Sequence, residues 1–193
     1  MPPVSVMIKP SSSNCNLRCK YCFYHSIADN RQTPSYGFMT EETLEEIVKK
    51  VLDFADQACT IAFQGGEPTL AGLDFFKKLI KYQKKYNIKR VKINNAIQTN
   101  GLAVNEEWAA FFAENNFLVG ISLDGPKEIH DMNRVDAKGD GSYKRVMNAI
   151  SLFDKYYNLY DDICQSLYTN SLDLSYCPFL GQKLSREFHP AVW

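Results

Sequence analysis

Four short β-rich runs, separated by longer segments of helical period, constrain this chain more than any other feature. The runs are Val4 to Ile8, Thr60 to Gln64, Val91 to Gln98 and Phe117 to Leu123. Parallel strands need a crossover of about a dozen residues or more, which a helix normally supplies, so this alternation predicts βα units repeated around a parallel sheet. The first predicted helix opens at Thr40, an N-cap residue followed by Glu41 and Glu42, where the helix dipole favours acids. Leu44, Ile47, Val48, Val51 and Leu52 form its apolar stripe. The same spacing predicts helices over Leu73 to Tyr86, Asn105 to Asn115 and Ser142 to Tyr157. Between Pro10 and Met39 there is no such stripe, and a long stretch without an element inside a compact domain is usually a functional loop.

The chain is long enough for one domain, with 193 residues of which 45% are apolar or aromatic. Lys plus Arg and Asp plus Glu both number 22, so net charge gives no reason to expect nucleic acid or an acidic membrane as a partner. No apolar run approaches the roughly 20 residues of a membrane span, and MPPVSVMIKP is no secretion signal. The expected location is therefore the cytoplasm. Six cysteines in a reducing compartment are expected to be thiols rather than disulfides. After Tyr157 neither a clean strand nor a sustained helical face can be placed. The expected division is a core over 1–157 and an atypical tail over 158–193.

The predicted loop holds Cys15, Cys19 and Cys22 in the spacing C-x3-C-x2-C. Three thiolates so spaced can converge on one small object while the backbone wraps it. A closed structural zinc site would need a fourth protein ligand, and His25 could complete a Cys3His set. A [4Fe-4S] cluster held by three cysteines instead leaves one iron open to a further ligand. Buried core thiols are the third alternative, disfavoured here by the polar neighbours Asn14, Asn16, Arg18 and Lys20. The second strand runs into Gly65-Gly66-Glu67-Pro68. Glycines there allow close backbone approach at the strand edge where α/β proteins bind ligands, although the tetrapeptide alone is equally a turn.

Together, the cysteine loop and the GGEP loop resemble the radical S-adenosylmethionine (radical SAM) superfamily. The resemblance is strongest to its anaerobic sulfatase-maturating enzymes, through KPSSSNCNLRCKYCFYHSIADNR, AFQGGEPTLAGLDFF, QTNGLAVNEEWAAFF and VGISLDGPKEIHDMNR. It implies an incomplete parallel (βα) barrel, ending after about four βα units. It also implies a [4Fe-4S] cluster on Cys15, Cys19 and Cys22 whose open iron chelates S-adenosylmethionine (SAM), which is cleaved to a 5′-deoxyadenosyl radical. By the same resemblance Tyr21 touches the adenine through its backbone and Gly66 binds the SAM amino group. Ser122 and Arg134 bind its polar end, as suits a carboxylate that needs donors and a planar cation. Tyr24 and Gln64 would face a target peptide.

The implied activity is oxidation of a Cys or Ser in a sulfatase precursor to Cα-formylglycine, with an electron donor such as flavodoxin or ferredoxin. Thioether formation in another peptide, and a cluster- or zinc-binding remnant without turnover, are the alternatives. Family members are about twice this length and carry a cysteine-rich C-terminal region with two further clusters and the catalytic base. Those parts have no counterpart here, so no catalytic base is assigned. Cys164 and Cys177 take no cluster role, and Cys59 is expected to be a buried thiol. A barrel interrupted in this way is expected to leave its fourth strand with an unpaired edge and an uncovered apolar face, both liable to aggregate.

Overall fold

The computed structural model describes residues 3–157, without the side chains of residues 25, 26 and 29. The tail from 158 on, with Cys164 and Cys177, lies outside the described residues, as does the His25 side chain of the zinc alternative. Four parallel strands pair in chain order: β1 (Val4–Ile8), β2 (Ala58–Phe63), β3 (Lys92–Thr99) and β4 (Phe117–Ile121). The crossovers carry α2 (Glu41–Phe54), α3 (Leu73–Tyr86) and α4 (Glu106–Glu114), and α6 (Tyr143–Tyr156) follows β4. The result is the parallel βα architecture expected from the sequence.

Two helices were not expected. α1 (Phe23–Asp29) lies inside the stretch read as a loop, and α5 (Lys127–Asn133) follows β4. Each spans seven residues, too few to display an apolar stripe, and neither has a side-chain N-cap bond. The long helices do carry their local signals. Thr40 Oγ1 accepts from Thr43 N at the start of α2, and Asn105 Oδ1 accepts from Trp108 N at the start of α4.

All four long helices cover one face of the sheet. Strand residues that alternate toward them, including Ile8, Cys59, Ile61, Phe63, Ile97, Val119 and Ile121, are buried. An aromatic centre joins the layers, with Phe76 at 5.1 Å from Phe63 and 5.9 Å from Phe112, and Phe112 at 4.9 Å from Phe117. Cys59 is 1% exposed, the buried thiol expected.

Among the described residues no helix covers the opposite face. One in-register apolar row crosses it, Met7–Ala62–Ala96–Leu118. Met7 and Leu118 are exposed there, and a row of Ser5, Thr60 and Asn94 runs beside it. Among the described residues β4 pairs only with β3, so its outer edge is free. The uncovered face is thus partly polar rather than wholly apolar. Parallel pairing has a further consequence, because it brings the carboxyl ends of all four strands to one edge, where each runs into a loop.

Candidate functional site

At that edge the cysteine loop, which follows β1, and the glycine loop, which follows β2, are joined backbone to backbone. Glu67 N–H donates to Asn14 O at 2.8 Å. Gly66 has φ +55°, and a Cβ there would stand 2.3 Å from the Asn14 carbonyl oxygen. Only glycine allows this approach, so its place in GGEP is a packing requirement as well as a turn.

Glu67, 1% exposed, braces the arrangement. Its Oε1 accepts from Thr69 N (3.0 Å), Thr69 Oγ1 (2.7 Å) and Thr99 Oγ1 (2.7 Å), and its Oε2 from Asn100 N (2.7 Å). Its backbone oxygen accepts from Ser11 Oγ at 2.8 Å. Burial pushes the Glu67 pKa up, against the pull of these donors. One side chain thereby ties the ends of β2 and β3, and its backbone fastens the loop after β1.

Asn100, just past β3, donates to Asn16 Oδ1 at 2.7 Å and to Cys15 Sγ at 3.7 Å, while Leu17 N donates to the same sulfur at 3.4 Å. Cys15, Cys19 and Cys22 are all partly buried free thiols. Burial pushes the Cys15 thiol up to about 11, and the nearby charges of Glu67, Cys19 and Cys22 add to the rise. Burial likewise raises Cys19, where Arg134 pulls the other way and Cys22 and Asp124 push upward. The Cys15 and Cys19 thiols therefore resist ionising together unless a positive group is among them. Among the described residues no three Cys, His, Asp or Glu side chains stand close enough to share a single metal ion. An iron–sulfur cube is wider than one ion and does not require that closeness, and backbone and amide N–H groups directed at a cysteine sulfur suit its thiolate ligands.

The loop after β4 closes the site. Ser122 accepts from Gln98 Nε2 at 3.0 Å, so the ends of β3 and β4 present a joined pair of polar side chains. Asp124, 7% exposed, accepts from Arg134 Nε at 2.8 Å and from Tyr21 OH at 2.5 Å. Arg134 is also 7% exposed, with its guanidinium carbon 5.4 Å from the centre of the Tyr21 ring. Burial works against the Arg134 charge, but the Asp124 carboxylate outweighs it and the pKa is raised.

His130, 0% exposed, holds this loop from behind. Its Nδ1 accepts from Asp124 N at 3.3 Å, and Ser142 Oγ, which donates to Arg134 O at 2.7 Å, lies 2.9 Å from its Nε2. The network requires a neutral ring with its proton on Nε2.

Burial lowers the His130 pKa, so the folded protein binds this proton less readily than the unfolded chain does. The contribution of His130 to stability is complete above the unfolded value, near 6.5, and is lost as pH falls below it toward the folded value. The melting temperature is expected to drop between pH 7.5 and pH 5.5, and part of that slope should vanish in His130→Gln. Equal slopes for the two proteins would contradict the assignment.

Cys15, Cys19, Cys22, Tyr21, Gly66, Ser122 and Arg134 thus share one edge of the sheet. Glu67, Asn100, Asp124 and His130 were not singled out from sequence. Only the GGEP context of Glu67 and the strand-end place of Asn100 and Asp124 could have drawn attention to them.

The profile of the Radical SAM superfamily matches residues 10–163. The chain belongs to the radical SAM superfamily. It is 56% identical over 164 residues to a cysteine-type anaerobic sulfatase-maturating enzyme of Clostridium perfringens, an alignment covering 85% of this chain and 44% of the relative. To a serine-type anaerobic sulfatase-maturating enzyme of Bacteroides thetaiotaomicron it is 39% identical over 155 residues, covering 80% of this chain and 37% of the relative. Among solved structures, native anSMEcpe with bound AdoMet and Cp18Cys peptide superposes with a TM-score of 0.74 at 55% identity, covering 80% of this chain and 41% of that one. This superfamily member therefore spans less than half the length of these relatives. Among the described residues no helix is long and apolar enough to cross a membrane.

Proposed function

We propose that this chain forms the cluster- and SAM-binding part of a radical SAM oxidoreductase that converts a sulfatase cysteine or serine to Cα-formylglycine. The observation that carries this reading is the joining of the C-x3-C-x2-C loop to the glycine loop at the carboxyl edge of a parallel sheet, through Glu67 N–H to Asn14 O. Identity of 56% to a cysteine-type relative, against 39% to a serine-type one, favours cysteine as the target.

In this reading Cys15, Cys19 and Cys22 hold a [4Fe-4S] cluster. The donors on the Cys15 sulfur from Leu17 N and Asn100 Nδ2 fit a thiolate ligand. When bound, the cluster would supply the electron, taken from a donor such as flavodoxin or ferredoxin, for reductive cleavage of SAM. The chain's own residues bind and orient. Gly66, bare of a side chain, leaves its backbone open to the SAM amino group, and Ser122 offers a hydroxyl at the end of β4. Arg134 opposes the SAM carboxylate with a fork of donors. Tyr21 lies between two of the ligands, its backbone toward the adenine. Tyr24 and Gln64, at the same edge, are assigned to the target peptide. The base that would take a proton from the oxidised residue is assigned to none of these residues.

The test is anaerobic incubation of the iron- and sulfide-reconstituted chain with SAM, dithionite and a sulfatase peptide containing the target cysteine. Release of 5′-deoxyadenosine is the result expected of the cluster- and SAM-binding residues, and an aldehyde on the peptide would extend the assignment to the full oxidation. Deoxyadenosine with a crosslinked peptide would assign a different target, and zinc in place of iron and sulfide would overturn the reading.

A further inference from the structure

Resting on the placement of SAM against Arg134, we propose that the Tyr21 side chain and Asp124 form a latch that positions Arg134 for the SAM carboxylate and ties that position to the cysteine loop. Tyr21 lies between Cys19 and Cys22, so whatever holds its ring also holds the loop that carries the thiols. Its hydroxyl donates to Asp124 Oδ2 at 2.5 Å, and Asp124 Oδ1 accepts from Arg134 Nε at 2.8 Å. One carboxylate thus spans a phenol from the cysteine loop and a guanidinium from the segment after α5.

The backbone runs in the same sense. Arg18 N donates to Val135 O at 2.6 Å and Lys20 N to Asn133 O at 2.9 Å, so the cysteine loop lies alongside the two neighbours of Arg134. Among the described residues the Nε–Asp124 bond, which fixes the plane of the guanidinium, is the one hydrogen bond identified for the Arg134 side chain, and no fully buried side-chain donor lacks a partner, so the two Nη groups reach solvent-accessible space. A nine-tenths buried arginine with one edge clamped and the other offering donors is pre-formed to receive a carboxylate in two parallel hydrogen bonds. The tyrosine ring packed at 5.4 Å from its carbon restricts it further. Tyr21 and Asp124 act through Arg134 and are positioning residues.

Removing Asp124 would strand a buried cation and put folding at risk, so the informative variant is Tyr21→Phe, which keeps the ring and deletes one hydrogen bond. A hydrogen bond to a charged group is worth enough that the SAM dissociation constant of the reconstituted chain, read by equilibrium dialysis, should rise about tenfold in Tyr21→Phe. Its iron and sulfide content should be unchanged. In an Arg134→Ala background the same substitution should change SAM binding by less than about twofold, because its effect passes through the arginine. In the metal-free protein the Arg134 Nε proton should exchange with water faster after Tyr21→Phe.

Loss of affinity of equal size in both backgrounds, or no loss in either, would overturn the latch. If Arg134→Ala weakens SAM binding and Tyr21→Phe does not, only the latch falls. If Arg134→Ala binds SAM as tightly as the parent, the placement of the SAM carboxylate falls with it.

Discussion

Cys19→Ala is expected to yield a chain that reconstitutes without the brown absorbance of an iron–sulfur cluster and releases no 5′-deoxyadenosine from SAM. Two thiolates on one loop cannot replace three, and the carboxyl edge offers no other described cysteine, since Cys59 is buried in β2. The loss should be one of ligation rather than folding. Cys19 is a partly buried loop residue outside the hydrophobic core, and its main-chain contribution there, the bond from Cys22 N to its carbonyl oxygen, survives the substitution. Cys59→Ala is the matched control. It removes a core atom at a cost of about 1 kcal/mol and should leave iron and sulfide content unaltered. Iron analysis and the visible spectrum of the two reconstituted proteins, beside their thermal melts, check both arms. Full iron and sulfide in Cys19→Ala would remove this cysteine from the ligand set and the cluster reading with it.

Glu67→Ala is expected to be the most destabilising single change at the site. It would leave the N–H groups of Thr69 and Asn100 and the hydroxyls of Thr69 and Thr99 without their acceptor in a region closed to solvent. A buried polar group left unsatisfied costs about 1–3 kcal/mol, so even partial rearrangement leaves a loss of about 4 kcal/mol or more. That is a large share of the roughly 5–15 kcal/mol that stabilises a domain, and the melting temperature should fall by at least about 10 °C. Glu67→Gln should cost less, because an amide oxygen can still serve the Oε1 donors while its NH2 faces Asn100 N. Circular dichroism melts of the three proteins test the ordering. A shift below about 2 °C for Glu67→Ala would mean that the carboxylate is not the brace described here.

The GGEP motif therefore combines two requirements. The conformation and bareness of Gly66 let the backbone reach Asn14, and the carboxylate of Glu67 holds that contact against β3. Much of this edge could be read along the chain. The four strands lie where alternation predicted them, with boundaries shifted by a few residues, because buried strands and amphipathic helices announce themselves through periodicity. The spacing of Cys15, Cys19 and Cys22 marked them as candidate ligands. Tyr21, Gly66, Ser122 and Arg134 were named through family resemblance, and the fold gathers them at one edge.

The amino-acid sequence alone determined the order of βα units, the faces that pack into the core and the loops that carry the candidate ligands. Those properties depend on neighbours within a few residues, where hydrophobic period, capping side chains and glycine act locally. What only the tertiary structure decided is how polar side chains with no periodic pattern find one another. Asp124 meets Tyr21 across 103 positions of sequence, and Asn100 meets Cys15 across 85. Such partners are chosen when parallel strands bring their carboxyl ends together and exclude water, so that each buried donor must find an acceptor among whatever the neighbouring strand presents. α1 and α5 follow the same logic: each is too short to be stable by its own propensity, and each exists because the chain around the site has packed.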